Sequence, residues 1–68
     1  MQNKWFPIGK IVYIDPAIRE IHCLSLIAGQ HVQVVEHSDC PPNMIPVLHD
    51  NEIWYAEREY VRKSDEKR

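Results

Sequence analysis

Residues 45–56 read IPVLHDNEIWYA, two apolar runs on either side of Asp50-Asn51. Both runs carry branched and aromatic side chains suited to a strand, and the Asp-Asn pair, although it lacks a glycine, invites a tight two-residue hairpin. That turn fixes the register. His49 faces Glu52, Leu48 faces Ile53, Val47 faces Trp54, Pro46 faces Tyr55 and Ile45 faces Ala56. Side chains alternate along a strand, so one face of the hairpin holds Ile45, Val47, Trp54 and Ala56, and the other holds Pro46, Leu48, Ile53 and Tyr55. Pro46 has no N–H to give to a neighbouring strand, which puts its strand at a sheet edge or makes Pro46 its beginning.

Both faces are apolar, and a small domain has only one inside. The second face therefore needs the long segment 15–28, a second copy or a partner to cover it. This makes Pro46, Leu48, Ile53 and Tyr55 the candidate partner-binding residues, with the 37–43 loop at their border.

The rest of the chain reads as further short strands. IGKIVYI (8–14) is branched and aromatic, with Ile11 and Tyr13 on one side and Val12 and Ile14 on the other. Asp15-Pro16 ends it and also suits the start of a helical turn; residues 16–27 fit either such a turn or a wide irregular loop, with Gly29 a natural stop. GQHVQVVE (29–36) alternates, which buries Val32 and Val34. HSDCPPN (37–43) is a loop, because its two prolines fix φ and its short polar side chains favour turns. EREYVRK (57–63) supplies a turn and a closing strand with Tyr60 and Val61. The expected fold is all-β, with four to five short antiparallel strands and at most short helical turns. Residues 1–7 form an approach segment, 8–63 the domain and 64–68 a charged tail.

A 68-residue chain has room for one core and no second domain. With 44% hydrophobic residues it has the apolar content to fold. Eight Lys and Arg against ten Asp and Glu leave a net charge of −2, which argues against a phosphate-binding protein. No leader-like apolar segment and no run approaching the ~20 residues of a membrane span is present, so the expectation is a cytoplasmic protein.

The order IGKIVYI, wide loop, AGQHVQVVE, loop, IPVLHDNEIWYAEREYV resembles the SH3-like small β-barrels over residues 8–62. The resemblance implies a first strand, a long first loop, a Gly-led strand from Gly29 to Val35 and the hairpin. A short helical turn over Glu57–Tyr60 and a last strand bearing Val61 follow. It also implies that Ala56 and Val61 both point inward, so that Ile45, Val47, Trp54 and Ala56 form the core and Leu48, Ile53 and Tyr55 face out. The acidic-tyrosine motif and adjacent tryptophans of proline-peptide-binding SH3 domains are absent.

Four other readings compete with the apolar face. His37 and Cys40 have a metal-ligand spacing, with His22, Cys23 and His49 as further ligands, yet only one loose pair is present where zinc sites show two, and no metal or other cofactor is expected. The same loop offers a Cys-His-Asp set without the supporting donors a nucleophile needs, so an enzyme is not expected. A disulfide between Cys23 and Cys40 would give roughly 3 kcal/mol, but a reducing compartment favours two free thiols, with Cys23 in an apolar setting suited to burial. Lys4, Trp5, Phe6, Lys10, Arg58, Arg62 and Lys63 could meet as a basic-aromatic nucleic-acid patch, weakened by Glu57 and Glu59. The function expected is a non-enzymatic protein-binding module, a regulatory or inhibitory accessory protein, with self-association or a protein partner; a nucleic-acid-binding barrel and a metal-stabilised domain are the alternatives.

Overall fold

The central hairpin forms in the register its turn demands. In a computed structural model that describes residues 5–18 and 23–64, Asp50 and Asn51 adopt φ of 52° and 66°. Two successive positive φ values make the turn whose twist matches that of paired strands, and Asp and Asn tolerate them because their short polar side chains bond locally. From it run β3 (Met44–His49) and β4 (Glu52–Glu57), paired from His49↔Glu52 through Ile45↔Ala56 to Met44↔Glu57.

With β1 (Ile11–Ile14), β2 (His31–Val34) and β5 (Val61–Lys63), these strands make one antiparallel five-stranded sheet in the order β4-β3-β2-β1-β5. The fold is all-β; its helical content among the described residues is two 3-10 turns, Cys23–Ile27 and Arg58–Tyr60. The second of these makes the sheet curl. It links β4 and β5, the two outermost strands, which a flat sheet would hold about 19 Å apart at ~4.8 Å per strand. Four Cα steps from Glu57 to Val61 reach ~14 Å at full stretch and less in a 3-10 turn. The outer strands must approach each other, and the enclosed side becomes the core.

That side holds Phe6, Val12, Ile14, Leu24, Ile27, Val32, Val34, Ile45, Val47, Ala56 and Val61, all buried, with Trp5, Ile18, Trp54 and Tyr60 packed against them. The inner set expected of the hairpin, and its partner Val61, are all here.

Four expectations are corrected. β1 begins at Ile11 rather than Ile8, because Gly9 turns at φ 94° and Lys10 N–H bonds Pro7 O at 3.2 Å, closing a turn where an extended chain was expected. A strand with apolar residues on both sides was expected to pack on each face, but Ile11 is exposed and Tyr13 half-buried, and only the Val12–Ile14 face is buried. β3 is not an edge strand: it lies between β4 and β2. Pro46 is accommodated because its nitrogen faces β2 where that ladder stops; its carbonyl still accepts from Val35 N–H at 3.0 Å, and the β2–β3 pairing is confined to Gln33↔Leu48 and Val34↔Val47. Cys23 is exposed, because the 3-10 turn sends Leu24 and Ile27 inward instead.

Within the segment 16–27 the described residues form a turn at Pro16 and Ala17 and a 3-10 helix over Cys23–Ile27; residues 19–22 lie outside the described residues. Asp15 Oδ1 accepts Ala17 N–H at 2.9 Å at its start. Gly29 ends it with φ 80°, its N–H bonding Ile14 O at 2.8 Å, so the chain re-enters the sheet where only glycine is comfortable. The approach segment and the charged tail lie partly outside the described residues.

Candidate protein-interaction surface

With Val12, Ile14, Val32, Val34, Ile45, Val47 and Ala56 directed inward, the intervening residues of β1–β4 form the outer face. The pairing registers order that face into rows running across the strands. One row is Ile11–Gln33–Leu48–Ile53, one residue from each of β1, β2, β3 and β4. Ile11 is 47% and Ile53 41% exposed, with Leu48 half-buried between them. Gln33 interrupts the apolar row, and its amide is drawn aside to Gly9 O at 3.3 Å.

The rows on either side differ in chemistry. Toward β5, Arg62, Tyr13 and His31 stand abreast, the two rings 5.1 Å apart. On the other side come Pro46 and Tyr55, and here the 37–43 loop folds back over the sheet. Tyr55 Oη and His37 Nδ1 are 2.7 Å apart, and their rings lie 5.5 Å apart. Burial raises the Tyr55 hydroxyl above its usual pKa, and the negative charges of Asp39 and ionised Cys40 push it further in the same direction. The loop that separates two strands in the sequence is therefore a cover for one end of the outer face.

Of the four candidate partner-binding residues, the structure places Leu48, Ile53 and Tyr55 on the outer face, as the register requires. Pro46 shares that face but is buried, lying opposite Tyr55 where the loop crosses, and cannot be a contact residue in this arrangement. Ile11 was missed: its exposure follows from β1 burying Val12 and Ile14 alone, and its place beside Gln33 from a β1–β2 register that no turn between those strands announces.

The loop's chemical groups are used otherwise. Burial pushes the Cys40 thiol above its ordinary value, and its Sγ–H donates to Pro41 O at 3.5 Å. No three His, Cys, Asp or Glu residues converge as a metal set among the described residues; His22 lies outside them. Cys23 and Cys40 are both free thiols.

The basic-aromatic patch is brought together but committed to structure. The Arg58 guanidinium lies 5.1 Å from the centre of the Phe6 ring and donates to Val61 O at 3.0 Å. Phe6 is buried, which removes it as a stacking platform, and Trp5 packs on the core. Arg62 pairs with Asp15 at 3.2 Å and donates to Glu59 O at 2.6 Å. Lys10 is half-buried and Lys63 exposed, while Lys4 lies outside the described residues. No described helix is long and apolar enough to cross a membrane. No family model, curated protein or solved structure matches the chain.

Proposed function

We propose that this chain is a non-enzymatic protein-binding module of the SH3-like small-barrel type, presenting the outer face of β1–β4 to a protein partner. The observation that carries the reading is the row Ile11–Gln33–Leu48–Ile53, apolar except at Gln33 and bordered by aromatic Tyr13 and Tyr55. Apolar area of this kind gains about 25 cal/mol per Å² only when something covers it, and aromatic side chains flanking aliphatic ones make good anchors. His37 of the loop holds Tyr55, and Pro46 opposite it is buried, while Ile11 and Ile53 are exposed. The strand order β4-β3-β2-β1-β5, the wide first connection and the 3-10 turn before β5 support the barrel type. A cytoplasmic accessory role, regulatory or inhibitory, fits a domain of this size with one open face.

The test compares the wild type with the Leu48→Lys, Ile53→Lys double variant, both shown to melt cooperatively, in affinity capture from the native host. A protein held stoichiometrically by the wild type and lost from the variant supports the reading. A protein held equally by both refutes it, as does recovery of nucleic acid in its place.

A further inference from the structure

The two outermost strands of the sheet are not alike. In a two-residue hairpin the pair flanking the turn exchanges both main-chain bonds, and every second pair does so after it. Trp54 and Ala56 therefore turn their N–H and C=O groups toward β3, while those of Ile53 and Tyr55 point away from it, and no described residue meets them. At the other edge, Asp15 N–H bonds Tyr60 O at 2.9 Å, so by the same alternation the groups of Val61 point away from β1. There both are satisfied from within: Val61 N–H bonds Arg58 O, and Val61 O accepts Arg58 Nη1 at 3.0 Å and Arg62 Nη1 at 3.4 Å. Arg58 closes the β5 edge, and the β4 edge stays open.

We infer that the open edge of β4 takes up an extended segment of a partner protein as a sixth strand, bonded to the main chain of Ile53 and Tyr55. The inference rests on the protein-binding reading above and specifies the partner's chemistry. An added strand beside β4 sets alternate side chains next to Ile53 and Tyr55 on the outer face, so these should be apolar. β4 begins with Glu52 and ends with Glu57, so the segment should carry Lys or Arg at its ends. A second copy of this chain is a poor occupant. Its own β4 carries glutamate rather than Lys or Arg at both ends, and pairing with β5 meets the edge that Arg58 has closed.

The probe is a displayed library of random octapeptides panned on the full chain, followed by synthesis of an enriched peptide. Enriched sequences should alternate apolar residues and carry a terminal Lys or Arg. Amide exchange at Ile53 and Tyr55 should slow at least tenfold when the peptide is bound. Ile53→Pro removes an N–H that the β3–β4 ladder does not use, so it should preserve the fold and weaken the peptide at least tenfold. Ile53→Lys, which sets a cation against the basic segment, should do the same and serves if the proline variant melts too early. Absence of enrichment, enrichment of acidic or non-alternating peptides, or unchanged binding by these variants overturns the inference. So does concentration-dependent dimerisation of the chain alone in sedimentation. A peptide that shifts the Ile11 and Leu48 methyl resonances while leaving the β4 amides free sinks the added strand and leaves the outer-face reading standing. Loss of discrimination in the host capture sinks that reading by itself.

Discussion

Ile45 and Ile53 lie on the same hairpin, and truncating each to alanine tests the assignment of its two faces. Ile45 is fully enclosed, so Ile45→Ala removes buried carbons and leaves a void, at about 2–5 kcal/mol. A 68-residue chain holds on the order of 3–10 kcal/mol in total, at ~0.05–0.15 kcal/mol per residue. The melting temperature should therefore drop by about 10–40 °C, at ~4–8 °C per kcal/mol. Ile53 is 41% exposed, so it retains little more than half of the ~1.5–3 kcal/mol that full burial of such a side chain contributes, and solvent fills the space it leaves. Ile53→Ala should cost about 1 kcal/mol, or roughly 5 °C. Thermal and urea melts followed by circular dichroism, at two protein concentrations, measure both. If Ile53→Ala costs as much as Ile45→Ala, the outer face is covered in the protein's own native state and the reasoning fails.

Three further outcomes are expected. Asn51→Gly relieves a side chain held at φ 66° and should raise the melting temperature by a few degrees, whereas Asn51→Val should lower stability by about 1–2 kcal/mol; the reverse order in urea melts would dismiss the turn. Asp15→Asn keeps an acceptor for Ala17 N–H but loses the part-exposed pairing with Arg62, so it should cost under about 1 kcal/mol and abolish part of the salt dependence of stability. Asp15→Ala should cost about 1 kcal/mol more, and equal effects of the two in salt-dependent urea melts would reject the cap. Burial raises the hydroxyl pKa of both Tyr55 and Tyr60, helped by Asp39 at the first and Glu59 at the second. Folding thus favours the neutral phenols, a contribution present in full below the unfolded value of ~10 and lost as pH rises through the folded values. Stability should fall above pH ~10, less steeply in Tyr55→Phe, and phenolate absorbance showing both groups titrating at or below 10 would contradict this.

What could be read from the residues was whatever a local rule decides. Asp50-Asn51 sets the hairpin length, length sets register, and alternation then sorts eight residues onto two faces before any other strand is placed. Gly29 and the turn before Val61 are of the same kind. Pro46 was misplaced because its rule concerns a neighbour: a missing N–H says that no ladder bond is made there, and only the sheet order shows that β2 runs out at that point. The bond between His37 and Tyr55 joins residues far apart in sequence, and neither side chain signals it. The exposure of Cys23 depends on the tighter winding of a 3-10 turn, which rotates the inward positions relative to an α-helix. Ile11 became part of the candidate site through a register set by the whole sheet, and Arg58, which looked like a ligand-binding charge, is used to finish an edge.

The seam between β1 and β5 joins Val12 to Lys63, across nearly the full length of the chain, whereas the β3–β4 hairpin closes over two residues. Loop closure makes the hairpin the cheap first event and the seam the late one. Contacts absent from the transition state govern how fast a protein opens, so Asp15, Arg58 and Arg62 should act on the unfolding rate and leave the folding rate nearly untouched. When the seam parts, Val61 leaves the apolar interior and Tyr13 of β1 loses its partner Arg62, while the β4 edge is already bare. Such a transiently opened molecule displays two unsatisfied strand edges at once. The lifetime of the native state against aggregation is therefore set at the seam, at the other end of the strand order from the hairpin with the longest run of pairs.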